Sequence, residues 1–143
     1  MLLLLAGAVQ AGEGVRVTDA WARATAPGQK VAGIYLNIVS DRDARLAAVE
    51  SSLAGQAELH QMRMDSGTMR MRPVEAIDLP AGQIVTLRPG DYHVMLFDLK
   101  RPLKPGDEVP LRLTVTDAAG KKQVVAATAR VRNLDGSEPH RDH

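Results

Sequence analysis

The chain has 143 residues, 18 basic against 17 acidic, with 45% apolar and 24% charged residues and no cysteine. That length suits one domain with a core of its own. A formal net charge of +1 and 3% aromatic residues exclude the basic, aromatic-rich surface that holds nucleic acid. The missing cysteines exclude disulfides, thiolate zinc sites, redox Cys-x-x-Cys chemistry and a blue-copper centre, which needs a cysteine sulfur.

In chain order, Met1 to Ala11 (MLLLLAGAVQA) is a short apolar run closing on small residues. Val9 and Ala11 suit the −3 and −1 positions of a signal-peptidase site, so residues 1–11 read as a signal-peptide-like segment lacking its basic start. The mature domain is then expected to begin near Gly12 and to be exported, to a periplasmic, oxidising compartment. Such a run is too short for a membrane-spanning helix, which needs roughly 20 residues.

The rest reads as extended. Strands are expected near 15–23, 30–40, 44–51, 56–64, 69–75, 83–88, 91–99, 107–117 and 122–132, with turn signals such as Asp65-Ser66-Gly67, Arg88-Pro89-Gly90 and Ala119-Gly120 between them. Within them Ile34, Leu36 and Ile38, and Val109, Leu111, Leu113 and Val115, alternate with period two. The stretch ARLAAVESSLAG has helical propensity but is read as a strand entering a turn. These features predict an all-β sandwich or Greek-key barrel of about eight or nine strands over residues 12–134. Residues 135–143 are expected to form a flexible polar tail.

Methionine and histidine are unevenly placed. Apart from Met1, the methionines are Met62, Met64, Met69, Met71 and Met95, and four of these fall in one ten-residue window beside His60. The other histidine within the domain, His93, lies two residues before Met95. Residues i and i+2 of a strand share a side, so His93 pairs with Met95, and His60 with Met62 and Met64. If Ser66-Gly67 is a two-residue hairpin turn, Met64 faces Met69 and Met62 faces Met71, with His60 diagonal to Met71. Taken singly, each methionine reads as adaptable core filler and each histidine as a hydrogen-bonded structural residue. Together they form a donor set. Thioether sulfur is soft and uncharged, and with imidazole it favours Cu(I) over zinc, calcium or magnesium. Spacing alone leaves the choice between Met62 and Met71 open.

The spacing from His60 to Met71, His93 and Met95 is H-x10-M-x21-H-x-M. It resembles the motif of the periplasmic copper chaperones called PCuAC, which serve cytochrome c oxidase assembly. Asp19-Ala20-Trp21-Ala22-Arg23, Ala26-Pro27-Gly28-Gln29, Tyr35 and Met71-Arg72-Pro73-Val74 are similar to the same family, so the resemblance spans roughly residues 15 to 132. It implies a cupredoxin-like β-barrel holding one Cu(I) per chain through His60, Met71, His93 and Met95. Met62, Met64 and Met69 then become supporting or packing residues. In the tail, His140 and His143, with Glu138 and Asp142, form a harder nitrogen-and-oxygen set suited to additional Cu(II).

The function expected is a monomeric copper(I) metallochaperone. Its partner would be an apo-protein, either the copper-site subunit of cytochrome c oxidase or another copper chaperone. A copper-sequestering or resistance protein is the alternative. No nucleophile–base pairing, Gly-rich phosphate loop or His-Glu-x-x-His motif is present, so no enzyme activity is expected, and the scattered Asp and Glu are read as solubilising. A copper enzyme and a plain β-sandwich interaction module are weaker readings; the latter predicts no copper binding.

Overall fold

A computed structural model describes residues 10–12 and 14–139, which carry eleven β-strands and no helix. They are β1 (Gln10–Gly12), β2 (Val15–Arg23), β3 (Ala32–Ser40), β4 (Ala44–Glu50), β5 (Ala54–Asp65), β6 (Thr68–Pro73), β7 (Ile77–Leu79), β8 (Ile84–Leu87), β9 (Tyr92–Leu99), β10 (Glu108–Asp117) and β11 (Lys122–Arg132). Each segment expected to be extended forms a strand. The count exceeds the expected eight or nine because β1 and β7, of three residues each, are too short to show a period in the sequence. The boundary expected between Ala11 and Gly12 falls inside β1, which pairs with the start of β2. Residues 1–9 lie outside the described residues.

The strand order is β6-β5-β9-β3-β2-β11-β10-β4-β7, with β1 also on β2 and β8 also on β3. All pairings are antiparallel except β11 with β2. One edge of β3 is shared along its length: β8 takes Leu36–Val39 and β9 takes Ala32–Ile34. Inward-facing Ile34, Leu36, Ile38, Leu46, Leu79, Val94, Leu96, Leu111, Leu113 and Val125 form the buried core.

Two bulges decide which residues face outward. Asp19 adopts a left-handed conformation (φ 53°), and the β2–β3 register slips between Thr18 and Trp21. Val15 and Val17 point inward before the slip and Ala22 after it, so Trp21 is turned to the outer face, opposite Tyr35. In β4 a second slip leaves Leu46 and Val49 both buried, three residues apart. Alanine and leucine give ARLAAVE its helical propensity, and the bulge accommodates the burial pattern within a strand.

At the start of the expected tail, residues 133–138 form a hydrogen-bonded turn. The Gly136 amide donates to the Asn133 carbonyl (2.8 Å) and the Asn133 amide to the Ser137 carbonyl (2.9 Å). Hydrogen bonds from the Ser137 side chain and amide hold the Asp135 carboxyl below its ordinary value. Glu138 Oε1 sits 3.1 Å from Arg132 Nε and so has a partner other than the tail histidines. His140 and His143 lie outside the described residues.

Candidate metal centre

The β5–β6 hairpin closes through Ser66 (φ 51°) and Gly67 (φ 84°), the two positive angles of a type I′ turn. The register is the expected one: Met64 opposite Met69, Met62 opposite Met71, and His60 opposite Pro73, diagonal to Met71. On its other edge β5 pairs with β9, setting His60 directly opposite His93 and Glu58 opposite Met95. His60, Glu58, Met62, Met71, His93 and Met95 therefore share one face of three neighbouring strands.

Both histidines are buried, at 6% and 4% exposure, and their ring centroids lie 5.8 Å apart. Hydrogen-bond partners assign their tautomers. His93 Nδ1 lies 3.0 Å from the Asp91 carbonyl oxygen, which can only accept, so Nδ1 carries a proton, and in the neutral ring Nε2 then holds the lone pair. That Nε2 lies 3.0 Å from Met71 Sδ. With the ring neutral, two lone-pair donors face each other without a proton to share, an arrangement that a soft cation between them would stabilise. His60 has the opposite arrangement. Its Nε2 lies 2.9 Å from Glu58 Oε1, and its Nδ1 is buried without a hydrogen-bond partner. An orphaned imidazole nitrogen costs free energy unless it binds something. The donor set therefore fits a soft monovalent metal. Among the described residues no three His, Cys, Asp or Glu side chains gather as a harder metal would require.

Glu58, which the sequence groups with the solubilising acids, stands at the site. Its two oxygens meet His60 Nε2 (2.9 Å) and Gln56 Nε2 (2.6 Å), which fixes the His60 ring in place. The signal was present in Glu58-Leu59-His60, where an i, i+2 pair places carboxylate and imidazole on one side of a strand. Losing such an orienting partner typically costs 10–100-fold in metal affinity, so Glu58→Ala should weaken binding of a metal at His60 by about that factor, with Glu58→Gln in between. Chelator competition checks this, and unchanged affinity would remove Glu58 from the site.

Three of the four aromatic residues wall the same face. Trp21 and Tyr35 have ring centroids 4.7 Å apart, Tyr35 and His93 6.2 Å, and His60 and Phe97 5.8 Å. The Arg132 guanidinium caps Trp21 at 4.2 Å. Burial raises the pKa of Tyr35 above the ordinary tyrosine value, against the opposing charge of Arg23. Gly33, opposite Met95 on β3, makes room for this wall: a Cβ there would lie 2.7 Å from Tyr35 Oη. Gly33→Ala should push the ring aside, costing about 1–3 kcal/mol and weakening copper binding. Adding Tyr35→Phe, which deletes the clashing oxygen, should restore much of the stability. Fluorescence of Trp21, the sole tryptophan, reports the displacement directly.

Met62 lies opposite Met71 and is half-buried; Met64 and Met69 form the exposed pair at the hairpin end, and Met95 stands half-buried beside His93 on β9.

Comparison with known proteins places the chain. The family described as "Putative lipoprotein LpqE-like" matches residues 15–128. The protein Lxx21020 of Leifsonia xyli subsp. xyli is 30% identical over 108 residues, covering 75% of this chain; the match spans 65% of that relative's length. Among solved structures, the apo PCuAC domain from PmoF1 superposes with a TM-score of 0.63 at 27% identity, covering 83% of this chain and 95% of that domain. The Cu(I) form of DR1885 from Deinococcus radiodurans superposes with a TM-score of 0.53 at 29% identity, covering 79% of this chain and 74% of that one. The chain belongs to the LpqE-like family, and its all-β, cupredoxin-like fold is that of the PCuAC domains.

Proposed function

We propose that this protein is a periplasmic Cu(I) metallochaperone. It binds one Cu(I) through His60, Met71, His93 and Met95 and passes it to an apo-protein such as the copper site of cytochrome c oxidase. The observation that carries the reading is the 3.0 Å approach of His93 Nε2 to Met71 Sδ, with the other ring nitrogen committed to the Asp91 carbonyl. The likeness to a PCuAC domain and to a DR1885 structure titled as its Cu(I) form supports it. Two imidazoles and two thioethers bring no ligand charge, which favours a monovalent ion, and no thiolate grips it. Met71 remains 41% exposed, so an acceptor's own ligand can approach as the methionine lets go. That exposure favours delivery over sequestration.

Anaerobic Cu(I) titration against a chromophoric chelator tests binding, and incubation of the loaded protein with an apo oxidase fragment tests transfer. One tightly held Cu(I), zinc bound far more weakly, and copper recovered on the acceptor are expected. Thioethers do not titrate, whereas each imidazole must be deprotonated to bind. At pH low enough to protonate both rings, log affinity should fall by about two per pH unit, and by about one in His93→Met. Equal zinc affinity or a flat pH profile would contradict the ligand set. Tight copper that never transfers would make the protein a copper store.

A further inference from the structure

The hairpin carries more sulfur than the proposed four-ligand site uses. Its outer half presents Met62, Met64, Met69 and Met71 on one face, in two directly opposed cross-strand pairs. Met64 is 65% exposed, Met69 47% and Met71 41%. Three large apolar side chains on a short edge hairpin are not there to fill a core: β6 is exposed at every position and, among the described residues, has no strand beyond it. The charged residues lie on the opposite face. Arg63 faces Arg70 there, and Arg72 pairs with Asp65 at 2.8 Å. Between His60 and Pro73 the methionine face of the hairpin thus holds thioethers without a formal charge.

We propose that Met64 and Met69, with Met62, form a second, weaker, all-thioether Cu(I) site at the hairpin end, from which the ion reaches the buried histidines through Met71. Directly opposed strand residues have Cβ atoms about 4.5–5.5 Å apart, within reach of a shared ion for two flexible, unbranched side chains. Neutral sulfur donors select Cu(I). Met71 is the shared member: it faces Met62 across the ladder, and its Sδ already touches His93 Nε2. Solvent-exposed sulfur captures and releases the ion, and buried imidazole retains it. This proposal rests on the four-ligand reading and extends it outward.

The test is anaerobic Cu(I) titration of the full chain, with X-ray absorption at one and two equivalents. The wild type should take up two equivalents, the second more weakly and with a sulfur-only shell. Met64→Leu/Met69→Leu keeps the apolar surface but removes two sulfurs. It should bind one equivalent with affinity changed by less than about threefold, and should load from a Cu(I)–chelator complex more slowly than the wild type. His60→Ala/His93→Ala, checked as folded by circular dichroism, should retain the weak sulfur-only equivalent. Saturation of the wild type at one equivalent would overturn the proposal. So would a second equivalent that survives the double leucine change or shows nitrogen scattering, the mark of a tail site. Failure of the four-ligand reading looks different: the first equivalent would then lack nitrogen.

Discussion

Met71→Leu should lower Cu(I) affinity by more than about 100-fold while changing apo stability by less than about 1.5 kcal/mol. The two sides of that expectation have separate causes. Leucine approximates the volume of methionine, and at 41% exposure little packing depends on the difference. The sulfur, however, is the atom 3.0 Å from His93 Nε2. Losing a direct ligand should exceed the 10–100-fold loss typical of an outer partner. Met62→Leu, one strand across from it, should cost clearly less. Chelator competition for affinity and urea titration for stability check both numbers. Equal affinity losses from the two variants would mean that Met71 is not the ligand.

Leu113→Ala should do the reverse. Leu113 is fully buried on β10, separated from β9 in the strand order by β3, β2 and β11. Truncating such a leucine costs about 2–5 kcal/mol through lost burial and the cavity left behind. For a domain of this size that is a drop in Tm of roughly 6–20 °C. Copper affinity of the folded protein should stay within about twofold, because independent distant sites add. A ligand that binds the native state and not the unfolded chain stabilises it, so free Cu(I) at about 1,000 times Kd should return about 4 kcal/mol and raise Tm again. Calorimetry with and without Cu(I) checks this. A variant that remained stable yet lost copper would show coupling between core and site that the strand order does not predict.

The parts of this structure legible in the sequence are those with a local physical cause. Ser66-Gly67 sets the hairpin turn, and the turn fixes every Met–Met pair by counting outward. Alternation in β3 and β10 fixes which residues are buried. Other features depend on partners distant in the chain. The slip at Asp19 turns Trp21 outward only because β3 sets the opposing register. β7 exists because Ile77 and Leu79 pair with Leu46 and Ala44 of β4. The turn at 133–138 reads as polar tail until its hydrogen bonds and Arg132 are in view. At the site, spacing brought His60, Met62, Met71, His93 and Met95 to one face but could not choose between Met62 and Met71. In the structure Met71 Sδ lies 3.0 Å from His93 Nε2. The role of Glu58 needed its carboxylate seen at 2.9 Å from the imidazole.

X-ray absorption spectroscopy of the protein loaded anaerobically with one equivalent of Cu(I) tests the ligand assignment most directly. A first shell of imidazole nitrogen and thioether sulfur in equal number is expected, with one sulfur lost in Met71→Leu and one nitrogen lost in His93→Ala. A shell of nitrogen and oxygen alone, a shell of sulfur alone, or the absence of a stoichiometric complex would contradict copper binding at His60, Met71, His93 and Met95.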